Sequence, residues 1–119
     1  MATSAIVQIQ RGMYKVNWLW GTTATGRSNV ITLGNYDQLE AVFYGPTGGT
    51  TNVVLEGGNA ASGPFETLET VSGAAMSFNS VESGIRYTVR NKPVVIAARA
   101  STVTGGASLP RVEVITRAY

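Results

Sequence analysis

Runs of Val, Ile, Thr and aromatic residues, none longer than about ten, are punctuated by glycines, often beside Thr, Ser or Asn. Branched side chains fit a pleated surface, and glycine-rich clusters break the chain into turns. Met13–Trp20 is the cleanest run. Tyr14, Val16, Trp18 and Trp20 alternate with Lys15, Asn17 and Leu19, the period-two pattern of a half-buried strand. No stretch carries the 3.6-residue pattern of an amphipathic helix.

The same grammar continues along the chain. Ala5–Gln10 is a first run, and Ser28–Leu33 is a third strand after the loop 21–26. Gln38–Tyr44 and Thr50–Glu56, joined by Gly45-Pro46-Thr47-Gly48-Gly49, read as the clearest hairpin. A longer loop over 57–64 leads to Phe65–Val71, whose two faces are both mixed, as on an edge. Ala75–Val81 places Met76 and Phe78 on one side. Gly84–Arg90 alternates Ile85, Tyr87 and Val89 inward with Arg86, Thr88 and Arg90 outward. Val94–Val103 is the longest run. Val112, Val114 and Thr116 then alternate with Arg111, Glu113, Ile115 and Arg117. About eight to ten short strands, with turn signals roughly every 8–12 residues, predict an all-β fold: a single-domain antiparallel β-sandwich, jelly-roll-like or Ig-like. A chain of 119 residues fits one domain. Residues 1–11, at the start of that domain, are read as an N-terminal arm.

Composition narrows the function. Apolar residues are 44%, enough to fill a modest core, but charged residues are only 13%, about half the usual share. A surface so poor in charge is weakly protected against self-association. Nine basic residues against seven acidic ones give +2. They are scattered, without the dense basic face of a nucleic-acid binder, so no nucleic-acid partner is expected. The chain has no cysteine and no histidine. Disulfides and thiolate metal sites are therefore excluded, and the commonest general base and zinc ligand are missing. No apolar run approaches the roughly 20 residues that span a bilayer, and the N-terminus lacks a leader's pattern. No membrane partner and synthesis in a cytoplasm are expected.

Tests for chemistry find little. A Ser–His–Asp triad cannot be built without histidine, and no motif surrounds Lys15 or Lys92 for a Ser–Lys pair. The acids Asp37, Glu40, Glu56, Glu66, Glu69, Glu82 and Glu113 show no spacing that singles out a glycosidase pair or a calcium loop. Gly45–Thr51 lacks the Lys-Ser/Thr ending of a phosphate loop. The expectation is no enzyme, no cofactor and no metal site. Trp18 and Trp20, on one side with Tyr14, read as core or subunit contact; with Tyr44 they could instead form a sugar-stacking platform. Arg86 and Arg90, four apart in a strand, share a face that could touch an acidic partner.

One longer pattern goes further. Leu33-Gly34-Asn35-Tyr36-Asp37-Gln38-Leu39, then Gly48-Gly49, Val53-Val54-Leu55-Glu56-Gly57-Gly58-Asn59 and Phe65-Glu66-Thr67-Leu68 resemble small structural proteins of tailed bacteriophages. Ile85-Arg86-Tyr87-Thr88-Val89-Arg90 resembles a strand those proteins carry downstream. Gly58 stands where serine is common in them. The resemblance covers about half of the chain and is greatest to capsid decoration, or cement, proteins. It implies a β-sandwich, often a homotrimer, on the outer head surface of the virion, bridging major capsid protein subunits. Such work needs area and many copies rather than a catalytic group. A phage tail or fibre component and a carbohydrate-binding module are the alternatives. The candidate interface residues are Ile6, Val7, Arg11, Trp18, Trp20, Arg86, Arg90 and Arg117.

Overall fold

The computed structural model describes residues 2–10, 13–20, 26–33, 36–44, 51–79, 84–103 and 111–117. They form eleven strands and no helix: β1 (Ala2–Gln10), β2 (Met13–Trp20), β3 (Gly26–Arg27), β4 (Ile31–Thr32), β5 (Gln38–Tyr44), β6 (Thr51–Gly58), β7 (Glu66–Thr67), β8 (Ser77–Asn79), β9 (Arg86–Thr88), β10 (Val95–Val103) and β11 (Arg111–Arg117). Two antiparallel sheets result. The first runs β1-β2-β11-β5-β9. The second runs β3-β10-β6-β7, with β4 also on β10 and β8 also on β6.

Alternation decides which residues enter the space between the sheets. In β11 the inward residues are Val112 and Val114, both fully buried. They sit opposite Trp18 and Val16 of β2 on one side and Phe43 and Ala41 of β5 on the other. From the second sheet come Val53 and Leu55 of β6, Ile96, Ala98 and Ala100 of β10, and Met76 and Phe78. Phe43 and Phe78 stack at 5.4 Å between centroids with planes 2° apart, so one aromatic pair joins the sheets. Tyr87 adds a tilted contact to Phe78 at 5.8 Å. Such pairs add about 0.5–1.5 kcal/mol beyond the area they bury.

The expected sandwich is present, but its connectivity differs from the expected hairpin. β5 pairs with β11 and β9 in the first sheet, whereas β6 pairs with β10, β7 and β8 in the second. The segment 45–50 therefore joins sheets rather than adjacent strands. Both strands are interior, with ladder partners on each side, and neither has an edge to offer the other. After β2 the chain changes sheet repeatedly: β3 and β4, β5, β6 to β8, β9, β10 and β11 alternate between the two.

Other strands are shorter than expected. The run Ser28–Leu33 is broken into flanking pieces, with Gly26–Arg27 and Ile31–Thr32 on β10. Ser28 causes the break: it is buried, its amide donates to the Ala98 carbonyl (2.7 Å), and its Oγ accepts from the Ala98 amide (2.9 Å). A side-chain oxygen thus replaces the backbone acceptor a ladder would use. Phe65–Val71 shrinks to β7, followed by single bridges Glu69–Ala75 and Thr70–Val89. The edge character read from its mixed faces fits this. Ile85, expected inward, is 49% exposed because the β9 ladder begins only at Arg86.

The two ends of the first sheet differ. Beyond β9, the Arg90 amide donates to the Glu69 carbonyl (2.8 Å) and the Val71 amide to the Thr88 carbonyl (3.1 Å). That edge is tied to the second sheet. At the other end, the segment expected as an arm is β1, paired with β2 from Ala2–Trp20 to Gln10–Met13 with one irregularity near Gln8. It is an edge strand of its own sheet.

Candidate functional site

Among the described residues no group of acids could hold a metal ion, and no helix is long and apolar enough to cross a membrane. The side chains that stand out lie on the outer faces of the sheets. Both faces carry one device, a glutamate in an otherwise apolar strand with basic groups on either side.

On the first sheet the glutamate is Glu40, outward between inward-facing Leu39 and Ala41. Its Oε1 accepts from Arg117 Nε at 2.8 Å, and Arg86 Nη1 lies 4.0 Å away across the β5–β9 ladder. Arg117 also donates to the Met13 sulfur at 3.8 Å. Lys15 and Glu113 form a looser pair at 3.8 Å. The Arg111 guanidinium carbon sits over the Tyr44 ring, 4.3 Å from its centroid, a cation–π contact. Val42 and Ile115 face outward on the same side yet are only 3% and 5% exposed. Four cations (Lys15, Arg86, Arg111, Arg117) meet two anions (Glu40, Glu113), a net +2 on one flat face.

On the second sheet the glutamate is Glu56, 5% exposed. Arg27 Nε reaches Oε1 at 3.0 Å and Arg99 Nε reaches Oε2 at 3.3 Å. β10 places Arg99 between β3 and β6, opposite Arg27 and Val54, so the three charges converge across three strands. The Arg27 guanidinium also stacks on Phe65 at 4.2 Å. Arginine suits this place because its planar fork can bind a carboxylate and stack at once. Ala97 and Val95 are buried beneath the layer.

The Leu55–Asn59 stretch has a steric meaning. A Cβ on Gly57 would lie 2.6 Å from Pro93 Cβ and 2.8 Å from Leu68 Cδ2, and one on Gly58 would lie 2.5 Å from the Pro64 carbonyl oxygen. Both glycines are therefore seats for close approach. They border an open groove of about 260 Å³ that Glu66, Asn91 and Lys92 also line. Pro93 is fixed in turn by Tyr36, whose hydroxyl donates to its carbonyl at 2.7 Å. Burial pushes the Tyr36 phenol up to about 12.

The structure scatters the candidate interface residues. Trp18 is fully buried, with Nε1 donating to the Asn29 carbonyl at 3.2 Å. It is core, and neither a sugar nor a partner reaches its ring. Tyr44 has Arg111 over its ring, so the sugar platform loses a second member. Arg86 and Arg117 meet at Glu40 on the outer face. Arg90 is exposed but lies past the end of β9, near the Gly73 turn, with Nη1 3.6 Å from where a Gly73 Cβ would be. Arg86 and Arg90 thus answer to different neighbours. Ile6 and Val7 belong to β1 and Trp20 ends β2; Arg11 lies outside the described residues. Glu40 and Glu56 were not among the candidates. Their signal was a lone acid inside an apolar strand, Leu39-Glu40-Ala41 and Leu55-Glu56-Gly57.

No family model matches the chain, and no curated protein matches it. Among solved structures, the chain is similar to the crystal structure of SPBc2 prophage-derived protein YomS, with a TM-score of 0.55 and 12% identity over 94% of this chain and 97% of that one. At that identity the likeness is one of fold, and it spans both sheets: the chain has the fold of a prophage-derived protein.

Proposed function

We propose that this chain is a structural component of a tailed-phage particle, a capsid decoration protein that binds the outer head surface and bridges major capsid protein subunits. The observation that carries the reading is the whole-length likeness of fold to a prophage-derived protein, which joins the strand–turn resemblance of residues 33–68. The surface chemistry supports it. Both outer faces hold arginines on a shared glutamate over buried aliphatic residues. Such faces offer flat area, with guanidinium groups able to exchange an internal carboxylate for one on an acidic partner. The protein works by contact and not by turnover. With Trp18 in the core, no observation favours a carbohydrate-binding module.

The test is reconstitution. Purified protein is mixed with heads that lack it and sedimented through a cushion, with separated tails in parallel. Saturable co-sedimentation with heads is expected. Binding to tails alone would move the protein to the tail, and binding to neither would refute a particle role.

A further inference from the structure

β1 is nine residues long, and among the described residues nothing pairs with its outer side. An open edge of that length is a template for another strand, and proteins blunt such edges with charge, proline or bulges. Here the devices are nearly absent. Ala2-Thr3-Ser4-Ala5-Ile6-Val7-Gln8-Ile9-Gln10 contains no charged residue and no proline, and its one irregularity lies at the Gln8–Gln10 end. Each other strand of seven or more residues has a charge: Lys15 in β2, Glu40 in β5, Glu56 in β6, Arg99 in β10, and Arg111, Glu113 and Arg117 in β11. The opposite edge of the sheet is held by Glu69 and Val71 and cannot receive β1 of a neighbour to close a ring.

We infer that β1 pairs antiparallel with β1 of a second copy of this chain, making one continuous ten-stranded sheet about a two-fold axis. Self-pairing is the arrangement that charge-free sequence suits best. In an isologous contact the strand meets itself reversed, so a charge near its centre would sit beside its own copy, and like charges across strands are destabilising. The register allows it. Centred on Ile6, the regular stretch gives the pairs Ser4–Gln8 and Ala5–Val7, each joining positions of the same parity, and it stops at Gln8, where the register of β1 shifts. Ala5 and Val7 stand on the register rows of Asn17 and Lys15. The inference concerns the chain alone and is independent of where on a particle it works.

Light scattering coupled to size exclusion, with sedimentation across a dilution series, tests it on the unmodified protein. A dimer of about 25 kDa, twice the 12.5 kDa chain, is expected. Amides of alternate β1 residues should lose protection from exchange as dilution splits it. A stable trimer, or a monomer at all concentrations, overturns the proposal. The paired variants Ala5→Lys with Val7→Lys, and Ala5→Glu with Val7→Glu, should each weaken dimerisation at least about tenfold, and an equimolar mixture should restore it. Failure of the mixture to restore it, with both variants folded by circular dichroism, counts against the register. Val71→Lys, at a turn where Val71 is 66% exposed, should leave the dimer unchanged.

Discussion

Replacing Gly57 by alanine is expected to destabilise the protein although alanine is the better strand residue. Gly57 has an ordinary backbone conformation, so no left-handed strain enters, and the effect is one of contact alone. The added Cβ would lie 2.6 and 2.9 Å from Pro93 Cβ and Cγ and 2.8 Å from Leu68 Cδ2, where ordinary contact begins at 3.4 Å. Pro93 would have to retreat by about 0.8 Å, the difference between 3.4 and 2.6 Å. It has little room to do so, because its ring is rigid, its carbonyl holds the Tyr36 hydroxyl at 2.7 Å, and Leu68 is 3% exposed. Overpacking of this kind costs about 1–3 kcal/mol. The entropy that alanine removes from the unfolded chain returns about 0.4–1 kcal/mol. A net loss of about 1–2 kcal/mol is expected, or a Tm lower by roughly 4–10 °C for a domain of this size. Urea unfolding measures it, with an unchanged m-value showing that compactness is intact. Gly84→Ala is the contrast: its Cβ meets nothing, but its φ of +81° is strained for alanine, at a cost of about 1 kcal/mol. A Gly57→Ala protein as stable as its parent would refute the packing of β6 against Pro93.

Glu56→Gln keeps the shape of the second face but leaves Arg27 and Arg99 facing each other without an anion. Their side chains are 39% and 40% exposed, so water relieves part of the loss, and urea unfolding should report about 1–2 kcal/mol. Trp20→Phe leaves Trp18 as the sole tryptophan. Its fluorescence should be blue-shifted and resist iodide, because the ring is fully buried; quenching like free indole would remove Trp18 from the core. Tyr36 ionises at about 12 in the folded chain against about 10 when unfolded. Between those values the unfolded state has given up its proton and the folded state has not, so stability falls as pH rises through that window. Tyr36→Phe should flatten this decline in thermal melts above pH 10 and lose about 1 kcal/mol at neutral pH with the Pro93 hydrogen bond.

Period-two alternation was enough to place most of the core. It put Val16 and Trp18, Met76 and Phe78, and Val112 and Val114 on inward faces, and all six are buried. Pairing was less legible, because it depends on partners distant in sequence. Gln38–Tyr44 and Thr51–Gly58 look like a hairpin when only the glycines between them are read. Their true neighbours are distant in the chain: β11 pairs with β5 across 67 to 79 residues and β10 with β6 across 37 to 52. The break at Ser28 was hidden for a local reason: a serine in a strand looks neutral until its hydroxyl is seen to take a backbone acceptor's place. The acids at the centre of each outer face were visible as Glu40 and Glu56 inside apolar strands. Their arginine partners come from other strands, Arg117 and Arg86 to one, Arg27 and Arg99 to the other, so convergence emerged only with the sheet order. The resemblance of 33–68 to phage structural proteins rests partly on Leu55–Asn59, and there the fold explains the glycines: Gly57 seats Pro93 and Gly58 seats Pro64.

We propose that this sandwich acts as a mechanical part on the outside of a phage head. Cryo-electron microscopy of purified particles tests it most directly. Density fitting the two-sheet fold is expected at regular positions over the capsid lattice, and is expected to be absent from particles made without the gene. A bare head surface at full occupancy of the other capsid proteins would contradict it.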